Sequence, residues 1–207
     1  MKAVIAAWAF LLVSGCAIGN QHQYAGVVPN VSAQTARSLA VAVQDRRPYI
    51  VDGSKTEDFV GVQRGGFGNP FDVTTATDGP LATDIRDSVA AAFRNKGAQV
   101  TPVALKPTLR AAEVAQALTQ TGRDRALLIT LSEWKSDTFM NTALVYDVTA
   151  RVLDGNGRTL ADSRISGRDD LSGSLDSPGH AKTAVPIAFR SKFEQLLNDP
   201  KVATALR

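Results

Sequence analysis

Apolar residues recur along this chain in two rhythms, and turn-forming residues mark where one gives way to the other. Leu39-Ala40-Val41-Ala42-Val43 is apolar at every position, which predicts a buried strand leaving the core at the charged turn Gln44-Asp45-Arg46-Arg47-Pro48. Residues 59–63 form a second strand candidate. Gly65-Gly66-Phe67-Gly68-Asn69-Pro70 is a turn by composition, and Phe71-Asp72-Val73-Thr74-Thr75 alternates as the returning arm of a hairpin. The rhythm then lengthens. Leu81, Ile85, Val89 and Phe93 repeat at i+4 behind Asp78-Gly79-Pro80, with Gly97 at a capping position, so one apolar stripe of a helix faces a sheet. A strand at 99–103 and a weaker helix at 110–121, with Val114 and Leu118 inward, come next.

The second half reads as a meander closed by a helix. Residues 125–134 carry Ala126-Leu127-Leu128-Ile129-Thr130-Leu131, apolar on both faces as in a central strand, with a turn expected near Ser136-Asp137. In 143–153, Leu144, Tyr146, Val148, Ala150 and Val152 share one face. Asp154-Gly155-Asn156-Gly157 signals a hairpin into a strand at 158–167. The last helix spans roughly 178–198 with Val185, Ala188, Phe189, Phe193, Leu196 and Leu197 buried; Pro186 should kink it or mark its start, and the tail 201–207 should dock or fray. The expected class is α+β, a largely antiparallel sheet with two or three helices packed on one face.

The N-terminus follows a different logic. Lys2 precedes an unbroken apolar run from Ala3 to Val13, too short to span a bilayer, and the small pair Ser14-Gly15 leads directly to Cys16, the only cysteine. Leu12-Val13-Ser14-Gly15-Cys16 resembles a bacterial lipobox. That resemblance implies a signal peptide over 1–15, cleavage before Cys16, and acylation of its thiol with diacylglyceryl and palmitate-type chains. It also implies a periplasm-facing position; Ala17 at the following position favours the outer membrane in the enteric class. Residues 16–37 are polar and turn-rich and read as a flexible tether, with a short strand conceivable at Val27-Val28, and 38–207 as a single domain.

Charge and composition narrow the chemistry. Removing 1–15 takes away only Lys2, leaving 22 basic against 20 acidic residues, a balance that argues against a nucleic-acid partner. With Cys16 acylated no thiol remains for a disulfide, a metal or a nucleophile. The two histidines, His22 and His180, are far apart and support neither a metal site nor a serine triad, and no Gly-x-Ser-x-Gly elbow occurs. The glycine-rich 61–68 stretch is followed by a strand pattern rather than a helix N-terminus, so it reads as a hairpin loop and not a nucleotide cradle. Phe67 at its tip could touch a partner or lipid. Arg46, Arg47 and Arg64 are candidates for an anion site that would take a lipid phosphate, set against a solvated, salt-bridged turn. Asp169, Asp170 and Glu133 read as surface charges. Trp134, Phe139 and Met140 read as core, or else as a contact patch at a hairpin turn. No cofactor is expected.

The lipobox at Cys16, the strand and turn from Val41 to Arg47, Phe59-Val60-Gly61-Val62, and Phe71 to Thr75 entering the 81–96 helix ahead of Gly97 and the meander together resemble the YajG-type bacterial lipoproteins. The loop at 48–58 is longer than that family's. The resemblance implies no catalytic residues. The expected role is therefore a non-catalytic, membrane-anchored lipoprotein that binds a protein or lipid partner in the cell envelope. An auxiliary subunit of an envelope lipid-transport or secretion apparatus is the alternative, and an envelope hydrolase a third.

Overall fold

The computed structural model describes residues 20–33, 38–172 and 177–207. Its elements in chain order are β1 (Gln21–His22), β2 (Ser38–Asp45), α1 (Pro48–Val51), β3 (Phe59–Arg64), β4 (Pro70–Thr75), α2 (Leu81–Arg94), β5 (Gln99–Ala104), α3 (Ala111–Thr119), β6 (Arg125–Thr138), β7 (Thr142–Asp154), β8 (Thr159–Asp170), α4 (Ser177–Leu197) and α5 (Pro200–Ala205). The expected signal peptide over 1–15 and Cys16 lie outside the described residues.

β6 is the strand on which the sheet is built. Its first half pairs with β2 in parallel, from Leu39↔Arg125 to Asp45↔Leu131. Its last residues pair with β3 in parallel, from Gly61↔Ser136 to Gln63↔Thr138. β2 and β3 thus lie end to end along one edge of β6, while β7 runs antiparallel along the whole of the other edge. β5 extends the sheet beyond β2, β4 and β1 extend it beyond β3, and β8 closes the far side. The expectation of a largely antiparallel sheet is corrected here: among the described residues, four of the seven pairings are parallel. The reason is connectivity. Helix α3 lies between β5 and β6, and the crossover through it returns the chain in the same direction, whereas β4 and β5, joined through α2, run opposite ways.

The placement of helices on one face is corrected as well. In β2 the large residues Leu39, Val41 and Val43 point into the main core with α2, α4 and α5, whereas the small Ala40 and Ala42 point to the other face, beneath Val114 and Leu118 of α3. Alternation between bulky and small side chains on a fully buried strand let a helix approach on each side. Trp134 centres the main core. Tyr24, Phe189, Phe193 and Tyr146 surround it, and its indole N–H donates to the Tyr24 hydroxyl at 3.0 Å.

The reading of 16–37 as a tether gives way from Asn20 to Ala33. β1 pairs in parallel with β4, Tyr24, Val31 and Ala33 are buried, and the Asn30 and Ser32 N–H groups donate to Glu194 and Asn198 of the last helical region. The strand in this stretch is at 21–22, not at Val27-Val28, whose side chains pack half-buried against the core. Three smaller expectations also change. β6 continues through Ser136-Asp137, because neighbours on both sides hold it, and the turn falls at 139–141. α4 passes through Pro186, so that residue does not start the helix. The C-terminal tail docks: Asp199 caps α5, and Val202 and Leu206 are fully buried.

The meeting of β3 and β6 tolerates no side chain at Gly61. A Cβ there would lie 2.1 Å from Ser136 Oγ and 2.6 Å from its carbonyl oxygen. Because backbone as well as side chain must move, Gly61→Ala should cost about 1–3 kcal/mol. Urea unfolding measures this; an unchanged midpoint would mean that β3 does not sit this close to β6.

Candidate functional site

The charged turn after β2 lies where β6 changes partners. Arg47, fully buried, occupies that fork. Its guanidinium pairs with Asp45 at 2.6 Å, and Nη1 donates to the carbonyls of Phe59 at 2.6 Å and Trp134 at 3.1 Å. These backbone oxygens sit near the gap between β2 and β3 pairing, where buried carbonyls need a donor. Burial alone would lower the Arg47 guanidinium; hydrogen bonding and charge from Asp45 outweigh it and hold the group above its ordinary value. Tyr49 closes the fork from α1, its hydroxyl donating to Glu133, and burial raises that phenol. Glu133 is thus half-buried and partnered rather than an open surface charge.

The three arginines proposed as an anion site do not come together. Arg46 and Arg47 are consecutive and point apart: Arg46 is exposed and donates to the Pro107 carbonyl at 2.8 Å. Arg64 forms a two-bond ion pair with Asp137. Arg46 lies level with Leu131 and Arg64 one step past the Gln63↔Thr138 pair, so they stand on the order of 20 Å apart along β6. Arg47 has no exposed surface with which to meet a ligand.

Arg46 instead shares a groove with two arginines that the sequence reading missed. Between α3 and the sheet runs an open cleft of about 580 Å³, with Arg46, Arg110 and Arg151 on its walls and Leu109, Leu128 and Leu153 among its apolar lining. Among the described residues its lining includes no carboxylate, though Arg110 is ion-paired with Glu113 at 3.2 Å. The signal for Arg151 was present: it alternates with Ala150 and Val152, which face the core, so it had to point the other way. Arg110 could not be placed without knowing that α3 sits alone on this face.

Each histidine has a hydrogen-bond partner in the folded chain. His22 is buried, with Nε2 3.0 Å from Ser136 Oγ; burial, reinforced by Lys182 and opposed by a backbone hydrogen bond at Gln21, lowers it from 6.5 to about 4. His180 Nε2 lies 2.9 Å from the Leu171 carbonyl. Among the described residues no group of His, Cys, Asp and Glu is arranged to hold a metal, and no helix is long and apolar enough to cross a membrane.

The glycine-rich stretch forms the β3–β4 hairpin loop, as its composition implied, with Gly68 N–H bonded to the Gly65 carbonyl. Phe67 stands almost free of the domain at 99% exposure, and Phe71 packs its ring edge against Gly65. Of the other aromatic cluster, Trp134 is core, while Phe139 and Met140 are exposed in the β6–β7 turn. Asp169 pairs with Lys192, and Asp170 accepts from Asn141.

The sequence matches no described protein family and no curated protein. Solved structures do resemble the fold. A Xanthomonas campestris protein of family DUF330 shares 17% identity over 89% of this chain and 93% of its own, with a TM-score of 0.52. The lipoprotein GNA1162 of Neisseria meningitidis matches over 75% of this chain and 99% of its own at 17% identity, with a TM-score of 0.31. At these identities, the first likeness speaks to the fold alone.

Proposed function

We propose that this chain is an envelope lipoprotein of the YajG-type kind, fixed to a membrane through acylated Cys16 and serving as a non-catalytic binding domain for a protein or lipid partner. The observation that carries the proposal is the lipobox Val13-Ser14-Gly15-Cys16, with the chain's only cysteine at the position acylation requires. It is joined by the docking of Asn20 to Ala33, which leaves the folded domain only four residues from the anchor. A binding role is supported by the cleft, whose apolar floor beside Arg46 and Arg151 suits an amphiphilic anionic group, Arg110 being paired with Glu113. The shifted groups His22, Arg47 and Tyr49 each have a structural partner, which favours binding over catalysis. The outer membrane, through Ala17, is the expected location.

Cys16→Ala should abolish incorporation of labelled palmitate and release the protein from the membrane fraction. Retained acylation in that variant would sink the proposal.

A further inference from the structure

Six large apolar side chains are exposed among the described residues, and four of them gather at one end of the sheet. β3 runs parallel to β6 with Gln63 beside Thr138, so the loops that follow them, 65–69 and 139–141, leave from the same end. Phe67 at 99% exposure and Phe71 belong to the first hairpin; Phe139 and Met140, at 77%, belong to the second. The opposite end, across the 14 residues or about 45 Å of β6, carries the polar turn Asp154-Gly155-Asn156-Gly157-Arg158, whose carboxylate binds its own loop.

The N-terminal segment points to the apolar end. β1 is parallel to β4, and β4 begins at that end with Pro70. The Asn20 side of β1 therefore faces the hairpin loops. Cys16 is four residues earlier, and four residues span at most about 14 Å. Thr74, which donates to the Asn20 carbonyl, stands four residues from Pro70, so the anchor's reach matches the distance to the loops.

We infer that the hairpin end bearing Phe67, Phe71, Phe139 and Met140 is a membrane-contact surface that seats in the bilayer interface and orients the domain. The inference rests on the anchoring proposed above. The occupant is the phospholipid interface rather than a folded partner. A ring with almost no contact to its own domain offers no shaped pocket, but it enters a fluid boundary as interfacial phenylalanines do. Lipid chains and apolar loops then act as two signals, and the arginine-walled cleft, which lies on the α3 face of the sheet, stays open to the aqueous side.

The test uses the full chain purified from membranes, returned to vesicles of phosphatidylethanolamine and phosphatidylglycerol. An environment-sensitive dye is placed on Gly66→Cys, Met140→Cys or Asn156→Cys. A Cβ at Gly66 meets nothing within 4 Å, so Phe67 is undisturbed. Dyes at 66 and 140 should shift to the blue and be quenched by spin-labelled lipid, while the dye at 156 keeps its water-like emission. Water-like emission at all three sites overturns the inference. So does shielding at 66 and 140 that appears without vesicles and grows with protein concentration, which would make this end a contact between copies. The mass of the N-terminal peptide reports acylation separately. An unacylated Cys16 sinks the anchoring proposal; with Cys16→Ser added so that the dye sits only at the chosen position, the dyes on vesicles still decide this one.

Discussion

Arg47→Met is expected to lower the unfolding free energy by about 3–5 kcal/mol, the usual consequence of removing one partner from a buried ion pair. The size follows from what is left behind. Asp45 is 1% exposed, so its carboxylate would stay buried without a cation, and the Phe59 and Trp134 carbonyls would lose their donor. Arg47→Lys should not rescue it, because an ammonium cannot reach two carbonyls and a bidentate carboxylate from one planar fork. Adding Asp45→Asn to Arg47→Met should return part of the loss, since the unpaired charge is then gone. Urea unfolding of the three variants beside the parent chain measures this; a loss below about 1 kcal/mol, the range of exposed pairs, would mean the guanidinium is solvated.

The second large effect is a loss of stability in mild acid. His22 is neutral in the fold, lowered from 6.5 to about 4 chiefly by burial. Between those values the unfolded chain binds the proton and the folded chain does not, so stability is full above 6.5 and falls as pH drops toward 4. The displacement corresponds to roughly 3 kcal/mol at full extent. Carboxylates held low by backbone N–H groups, such as Glu113, Asp154 and Asp199, lose their contribution at lower pH. His22→Gln, which can keep a hydrogen bond to Ser136, should therefore flatten the stability profile between pH 7 and 5 without altering the acid limb. An unchanged slope in that variant would show that His22 is not the group responsible. Because His22 pairs β1 with β4, the same protonation should loosen the docked N-terminal segment.

Much of the layout was legible from local pattern. Every strand and helix from β2 to α4 other than α1 was expected close to its place, because each carries its own rhythm and its own stop signal. What local pattern could not show is which strands meet. Asp45-Arg46-Arg47-Pro48 has the composition of a solvated turn, and Arg47 is instead buried because β6 exchanges β2 for β3 at that level, a fact set by residues nearly ninety positions away. The common direction of β5 and β6 was recoverable in principle from the helix between them. The two faces of the sheet were also written in β2, in the alternation of Leu39, Val41 and Val43 with Ala40 and Ala42. Tyr24 was the overlooked sign that 20–33 docks: a lone tyrosine in a polar stretch packs edge-to-face against Trp134 and Phe189. The arginine-walled cleft was half visible, through Arg46, and needed the fold to bring in Arg110 and Arg151.

The central claim is that Cys16 joins this domain to a membrane. Its most direct test is the mass of the N-terminal peptide of the protein extracted from membranes. The prediction is a chain beginning at Cys16 and carrying acyl groups. A chain that begins elsewhere, or a Cys16 with a free thiol, would contradict it.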